Sequence, residues 1–257
     1  MRRLIIVGNW KMHLNTHEAS LLVHRLNECI DIHRDIEVVL APSLLSLQPL
    51  SMEIDRRKFR LAAQNAYFKD EGAFTGEVSF TMLRELVHYV IVGHSERRIY
   101  FNETLDTIRD KVQAAVRNKI TPILCIGETD QERRAGETKQ VIHDQLTTAL
   151  SNLTSVDIEE LVIAYEPVWA IGTGVTAKPQ DINEAIRFIR HNISELYGEK
   201  ASRQVRVLYG AGVEPDYIQG ILGLDCGIDG FLVGGASLNY HKFSSIVDAA
   251  YRMNHQK

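Results

Sequence analysis

Four side chains of the kind that move protons or stabilise anions follow short apolar runs: Asn9 and Lys11 after the first, His94 after another and Glu166 after a third. A carboxylate can take a proton from carbon, while an imidazole, an ammonium or an amide can stabilise the charge left on a neighbouring oxygen. Both kinds of group must meet around one substrate. Two further apolar runs end in Gly210-Ala211-Gly212 and Gly234-Gly235-Ala236-Ser237. Glycine lets backbone N–H groups approach a ligand closely, and a short helix starting after such a turn offers its positive end to an anion. Taken singly, each segment also reads as ordinary loop polarity or a tight turn. Together they point to proton transfer on a substrate carrying a phosphate.

Other motifs are weaker. Gly172-Thr173-Gly174-Val175-Thr176-Ala177 fits a loose dinucleotide pattern, but it does not join a strand directly to a helix as that motif requires. A mobile lid suits it better, with Pro167, Val168 and Trp169 anchoring one end and Ala170, Ile171 and the small residues after them free to move. His13 and His17 are four apart but lack the third ligand of a metal site, so both are expected on the surface. Glu96 and Glu166 could pair as in a glycosidase, although the glycine loops suit a phosphate better than a sugar chain.

The elements that must position these groups are legible as alternating βα units. Apolar, β-branched runs fall at 4–8, 37–41, 60–63, 89–92, 121–126, 161–165, 205–209 and 230–233. Amphipathic helical stretches are clearest at 19–29, 105–118, 139–153, 181–197 and 242–253. Pro49 weakens the second unit, whereas Pro179 and Pro215 suit first-turn positions, where a missing N–H is harmless. Eight units without a linker predict a single domain over residues 1–257, a closed (β/α)8 barrel of parallel strands ringed by helices. A doubly wound open sheet is the alternative. In the barrel, function belongs at the C-terminal strand ends, and the loops after strands seven and eight are a frequent phosphate site.

Composition sets the outer bounds. The chain has 257 residues, 45% hydrophobic and 24% charged, with a formal net charge of −4. That is an ordinary globular balance without the basic footprint of a nucleic-acid partner. No apolar stretch is long enough to span a bilayer. The run after Arg2 and Arg3 stops at Gly8, too early for a signal peptide. Cys29, Cys125 and Cys226 are odd in number and widely spaced, which suits a reduced, cytoplasmic setting.

The motifs Gly8-Asn9-Trp10-Lys11-Met12, 72–79 (Gly-Ala-Phe-Thr-Gly-Glu-Val-Ser), 93–98 (Gly-His-Ser-Glu-Arg-Arg), 164–174 and 233–238 closely resemble, in order and spacing, those of the triosephosphate isomerase family. The resemblance covers essentially the whole chain. It implies the TIM barrel and an aldose–ketose isomerase of glycolysis and gluconeogenesis, with Glu166 as base, His94 as electrophile, Lys11 as cation and Asn9 as amide donor. It places the phosphate at Gly172, Gly212, Gly234 and Gly235. It gives Ser95 the task of holding Glu166 when the lid is open, pairs Glu96 with Lys11, and puts Cys125 in a packing role. It also implies a homodimer with Gln64 and Thr75 at the interface, and no cofactor or metal.

Two positions depart from the family pattern. Where Gly-Gly-Ser is usual after strand seven, this chain has Gly210-Ala211-Gly212, without the serine hydroxyl; Val175 stands where a lysine is common. Lid closure is therefore expected to be weaker, and a four-carbon ketose phosphate becomes an alternative substrate on the same scaffold. A noncatalytic phosphate-binding barrel is the alternative outside enzymes, disfavoured because all four reacting groups are present.

Overall fold

The computed structural model describes residues 3–224 and 227–255; Cys226 lies outside them. Eight parallel strands close into a barrel in sequence order: β1 (Leu4–Asn9), β2 (Ile36–Ala41), β3 (Phe59–Ala63), β4 (Tyr89–Val92), β5 (Thr121–Ile126), β6 (Val162–Tyr165), β7 (Arg206–Tyr209) and β8 (Gly230–Val233). Pairing of Ile5 with Gly230 and Gly8 with Val233 joins first strand to last, which excludes the open sheet.

Both faces of each strand are buried, which is why the runs read as continuous apolar segments. Ile5, Val7, Val39, Ile91, Ile123, Leu208 and Leu232 fill the barrel interior. Their neighbours Ile6, Leu40, Leu61, Val90, Leu124 and Val207 pack outward against the helices. Cutting one such interior side chain to alanine costs about 2–5 kcal/mol, so the two layers together make the barrel a rigid support.

Helix boundaries shift where capping overrides periodicity. The helix Thr16–Cys29 begins ahead of the amphipathic pattern because Asn15 accepts from the Glu18 N–H at 3.0 Å while Glu18 accepts from the Asn15 N–H at 2.9 Å. The helix Thr138–Leu150 stops short of 153, since Asn152 turns into the left-handed region at φ +67°. Pro49 lies inside the helix Leu44–Glu53 rather than ending it; Leu45, whose carbonyl loses its partner, is 83% exposed, so water can serve that carbonyl. Pro179 and Pro215 both occupy the first turn of their helices. Among the described residues, no helix is long and apolar enough to cross a membrane.

Candidate active site

Because all strands run in one direction, their C-terminal ends gather at one mouth. A cavity of about 790 Å3 opens there, lined by Asn9, Lys11, His94 and Glu166 together with Gly172, Gly212, Gly234 and Gly235. Eight positions from five segments of the sequence thus meet in one space.

At the end of β1, Asn9 is buried and its Oδ1 accepts from the Lys11 N–H at 3.1 Å. Lys11 adopts φ +52°, a conformation costly for a side-chain-bearing residue, and Gln64 holds it by donating to the carbonyls of Lys11 at 2.8 Å and Ala41 at 2.9 Å. Lys11 Nζ then reaches Glu96 Oε1 at 2.6 Å, the pairing the sequence suggested. Gln64, expected at an interface, therefore also fixes the turn that aims the ammonium.

His94 caps the short helix Ser95–Tyr100, its Nδ1 accepting from the Glu96 N–H at 3.2 Å. That bond requires an unprotonated Nδ1, so the neutral ring carries its hydrogen on Nε2, which faces the cavity 3.4 Å from Glu166 Oε1. Glu166 is 3% exposed, and its Oε2 is buried without a hydrogen-bond partner. A buried carboxylate oxygen left unpaired is costly, and the other oxygen, Oε1, faces His94 Nε2, so the carboxylate stands available to a substrate proton. Ser95 is buried nearby, but its hydroxyl makes no hydrogen bond to Glu166 in this position of the carboxylate.

Two close approaches fix Glu166. A Cβ on Gly210 would lie 3.0 Å from Glu166 Cγ, and one on Gly127 only 1.9 Å from the Glu166 carbonyl oxygen. Behind the carboxylate, burial, reinforced by Glu166 itself, pushes the Cys125 thiol well up. It stays a thiol and packs the site. Half-buried Arg98 donates to the Gly93 carbonyl at 2.8 Å and to that of Cys125, tying the end of β4 to β5.

On the opposite wall, the short helix Gly235–Leu238 is tightened by Ser237 Oγ donating to the Gly234 carbonyl at 2.6 Å. Gly212 sits at φ +55°, and a Cβ there would meet nothing within 4 Å. A serine would have room at Gly212, at the cost of that backbone conformation.

The segment expected to form a lid begins with a 3-10 turn, Val168–Ala170, followed by residues 172–176 exposed to water. Its anchor is Glu128, which the sequence reading missed. This fully buried carboxylate accepts from Trp169 Nε1 at 2.8 Å and from the Tyr165 hydroxyl at 3.1 Å, while its carbonyl takes the Val168 N–H at 3.0 Å. Arg133 lies 4.1 Å over the Trp169 ring. Burial raises the Glu128 carboxyl above its usual range, with the bonds from Trp169 and Tyr165 opposing it. The signal was present in Gly127-Glu128-Thr129, a polar step after a strand like those after β4 and β6.

The family model for triosephosphate isomerase matches residues 4–250. The chain belongs to the triosephosphate isomerase family. Among curated family members, the triosephosphate isomerase of Caldanaerobacter subterraneus subsp. tengcongensis is 46% identical over 96% of this chain and 100% of its own length. That of Alkaliphilus metalliredigens is 45% identical over 96% and 100%. That of Dictyoglomus turgidum is 44% identical over 96% and 99%.

The remaining candidates scatter. Thr75 lies on the exposed loop 72–77, away from the cavity that holds the reacting groups. His13 and His17 are exposed, and only His17 is in a helix, so they share no helical face. Among the described residues, no group of three His, Cys, Asp or Glu side chains could hold a metal ion.

Proposed function

We propose that this family member interconverts dihydroxyacetone phosphate and D-glyceraldehyde 3-phosphate, the isomerisation step of glycolysis and gluconeogenesis, through an enediolate. The observation that carries the reading is the pairing of Glu166 with a His94 Nε2–H across one cavity, with the ring's other nitrogen already occupied by Glu96 N–H. Glu166 takes the C1 proton, and the electron pair moves to the C2 oxygen. His94 Nε2 and Asn9 stabilise that oxygen, and Lys11 offsets the charge of both phosphate and enediolate. After the hydroxyl proton passes from O1 to O2, the carboxyl returns a proton to C2. Gly172, Gly212, Gly234 and Gly235 receive the phosphate through their backbones, and no cofactor enters these steps.

A coupled assay with glyceraldehyde 3-phosphate and with erythrulose phosphates tests the assignment. Preference for the triose supports it; preference for a tetrulose phosphate would replace it with the four-carbon reading, and an inert protein that still binds 2-phosphoglycolate would point to a noncatalytic barrel.

The assembly belongs to the same proposal: two copies pair, the loop bearing Thr75 entering the partner beside Gln64. In its favour, a second cavity of about 500 Å3 borders Lys11 and His94 and is lined by Met12, Leu44, Gln64, Gly76 and Phe101. Met12 is 96% and Phe101 63% exposed, an apolar surface that a partner would cover. Light scattering should give twice the chain mass; a monomer at micromolar concentration would overturn the pairing. Cytoplasmic placement belongs to the same proposal, supported by the substrates and by the free Cys29 and Cys125 thiols. A secreted, oxidised form recovered from cells would refute it.

A further inference from the structure

Three tyrosines run beneath the lid. Ring centroids of Tyr165 and Tyr209 are 6.5 Å apart, and those of Tyr209 and Tyr217 6.4 Å. At one end the Tyr165 hydroxyl meets Glu128, the anchor of Trp169. At the other, Tyr217, in the first turn of the helix Pro215–Leu222, donates to the carbonyl of Ala177. Ala177 is the last residue of the lid and is buried, whereas 172–176 are exposed. Between the two ends, the Tyr209 hydroxyl is buried beside Tyr217.

We propose that Tyr217 is a positioning residue that latches the far hinge of the lid over the phosphate end of the substrate; this rests on the sugar-phosphate reading above. The exposed part of the lid has little else to hold it. Thr173 Oγ1 donates to the Trp169 carbonyl at 3.0 Å and accepts from the Val175 N–H at 3.2 Å, both bonds internal to the lid. Gly212 offers no hydroxyl and Val175 no polar side chain. Ties to the rest of the barrel therefore concentrate at the hinges, Glu128 at one and Tyr217 at the other. Gly172 and Gly212 line the same cavity, so a hinge fixed by Tyr217 acts on the segment that borders the phosphate seat. Tyr217 also follows Gly212 by five residues on one connection, which couples hinge and phosphate seat directly.

A hinge latch acts on how long the phosphate stays covered, not on the distance from Glu166 to the reacting carbon. Tyr217→Phe keeps the ring and removes only the hydroxyl. The KM for glyceraldehyde 3-phosphate and the Kd for 2-phosphoglycolate should each rise about two- to tenfold, the range of one lost hydrogen bond. The thermal midpoint should hold, and kcat should change less than KM. Binding can be followed by the fluorescence of Trp169, since the only other tryptophan, Trp10, is fully buried at β1. Unchanged KM and Kd would overturn the latch. So would a drop in thermal midpoint and kcat with Kd unchanged, the mark of a hydroxyl that only packs. If the wild type fails to turn over glyceraldehyde 3-phosphate while Tyr217→Phe still weakens 2-phosphoglycolate, the reaction reading falls and the latch stands.

Discussion

Glu37 and Asp229 near one mouth of the barrel and Glu166 at the other are used in opposite ways. At the N-terminal mouth, Glu37 accepts from Arg206 at 2.9 Å and lies 3.9 Å from Arg60, while Arg206 also donates to the Tyr89 hydroxyl at 3.0 Å. Asp229, just before β8, accepts from Arg190 at 2.7 Å and from the Val207 N–H at 2.9 Å. At the C-terminal mouth, Glu166 keeps one oxygen with no partner and its other only 3.4 Å from an imidazole. Glu37 and Asp229 hold strands together and Glu128, at the second mouth, holds Trp169 and Tyr165, whereas Glu166 alone of these four is left available for a substrate. A buried charge that loses its partner destabilises strongly, so Glu166 is tolerable only because the rest of the barrel fixes its position.

Substitutions at the two mouths should therefore separate activity from stability. The largest effect belongs to Glu166→Gln, which cannot accept a proton. We expect kcat to fall by about 10²–10⁴, with 2-phosphoglycolate still bound and the urea midpoint equal to or above wild type. A large loss of stability would show that Glu166 is structural and collapse the contrast. Arg206→Met should do the reverse, costing about 2–3 kcal/mol in urea unfolding because Glu37 is left with only the more distant Arg60. Its kcat per folded molecule should match wild type; a tenfold loss of kcat would mean the mouths are not independent.

Gly210→Ala sharpens the comparison at the site itself. Its Cβ would sit 3.0 Å from Glu166 Cγ and 3.1 Å from Leu232 Cβ, so the carboxylate must move by a few tenths of an ångström. Displacement on that scale should lower kcat about tenfold in steady-state assays and leave KM less affected. Unchanged kcat would show that the carboxylate's position is not tightly set.

The smallest effect concerns pH. Burial raises the Glu128 carboxyl above the 4.5 of a freely hydrated glutamate, so between that value and the higher folded one the folded state binds more protons than the unfolded. Stability contributed by this group is complete below pH 4.5 and declines as pH rises toward the folded value. Glu128→Gln removes the titration, so its stability relative to wild type should improve with rising pH across that window. Urea titrations at several pH values would check this; a parallel pH dependence in both proteins would contradict it.

Some of this was legible in the chain and some was not, for physical reasons. Strands buried on both faces announce themselves as apolar runs, and Asn9, Lys11, His94 and Glu166 stand directly after such runs, so position along a strand pointed to four groups that the structure gathers around one cavity. Glu128 stands after β5 in the same way, but a glutamate between glycine and threonine looks like loop polarity until Trp169 and Tyr165 are seen to reach it from more than thirty residues away. Tyr217 was hidden because its partner, Ala177, is a backbone carbonyl forty residues distant, and carbonyls leave no sequence signal. The bonds of Gln64 to Lys11 and Ala41 left no signal in the sequence, because they depend on the packing of β2 beside β3.

The central claim is that Glu166 moves a proton between carbon atoms of a bound sugar phosphate. Turnover of dihydroxyacetone phosphate in deuterium oxide tests it most directly, because a proton carried by a carboxylate exchanges with solvent before it returns. Deuterium is expected at the exchanging carbons of substrate and product with the wild type, and neither label nor product at a comparable rate with Glu166→Gln. Product formed by the wild type without solvent deuterium, or deuterium incorporated equally fast by Glu166→Gln, would contradict it.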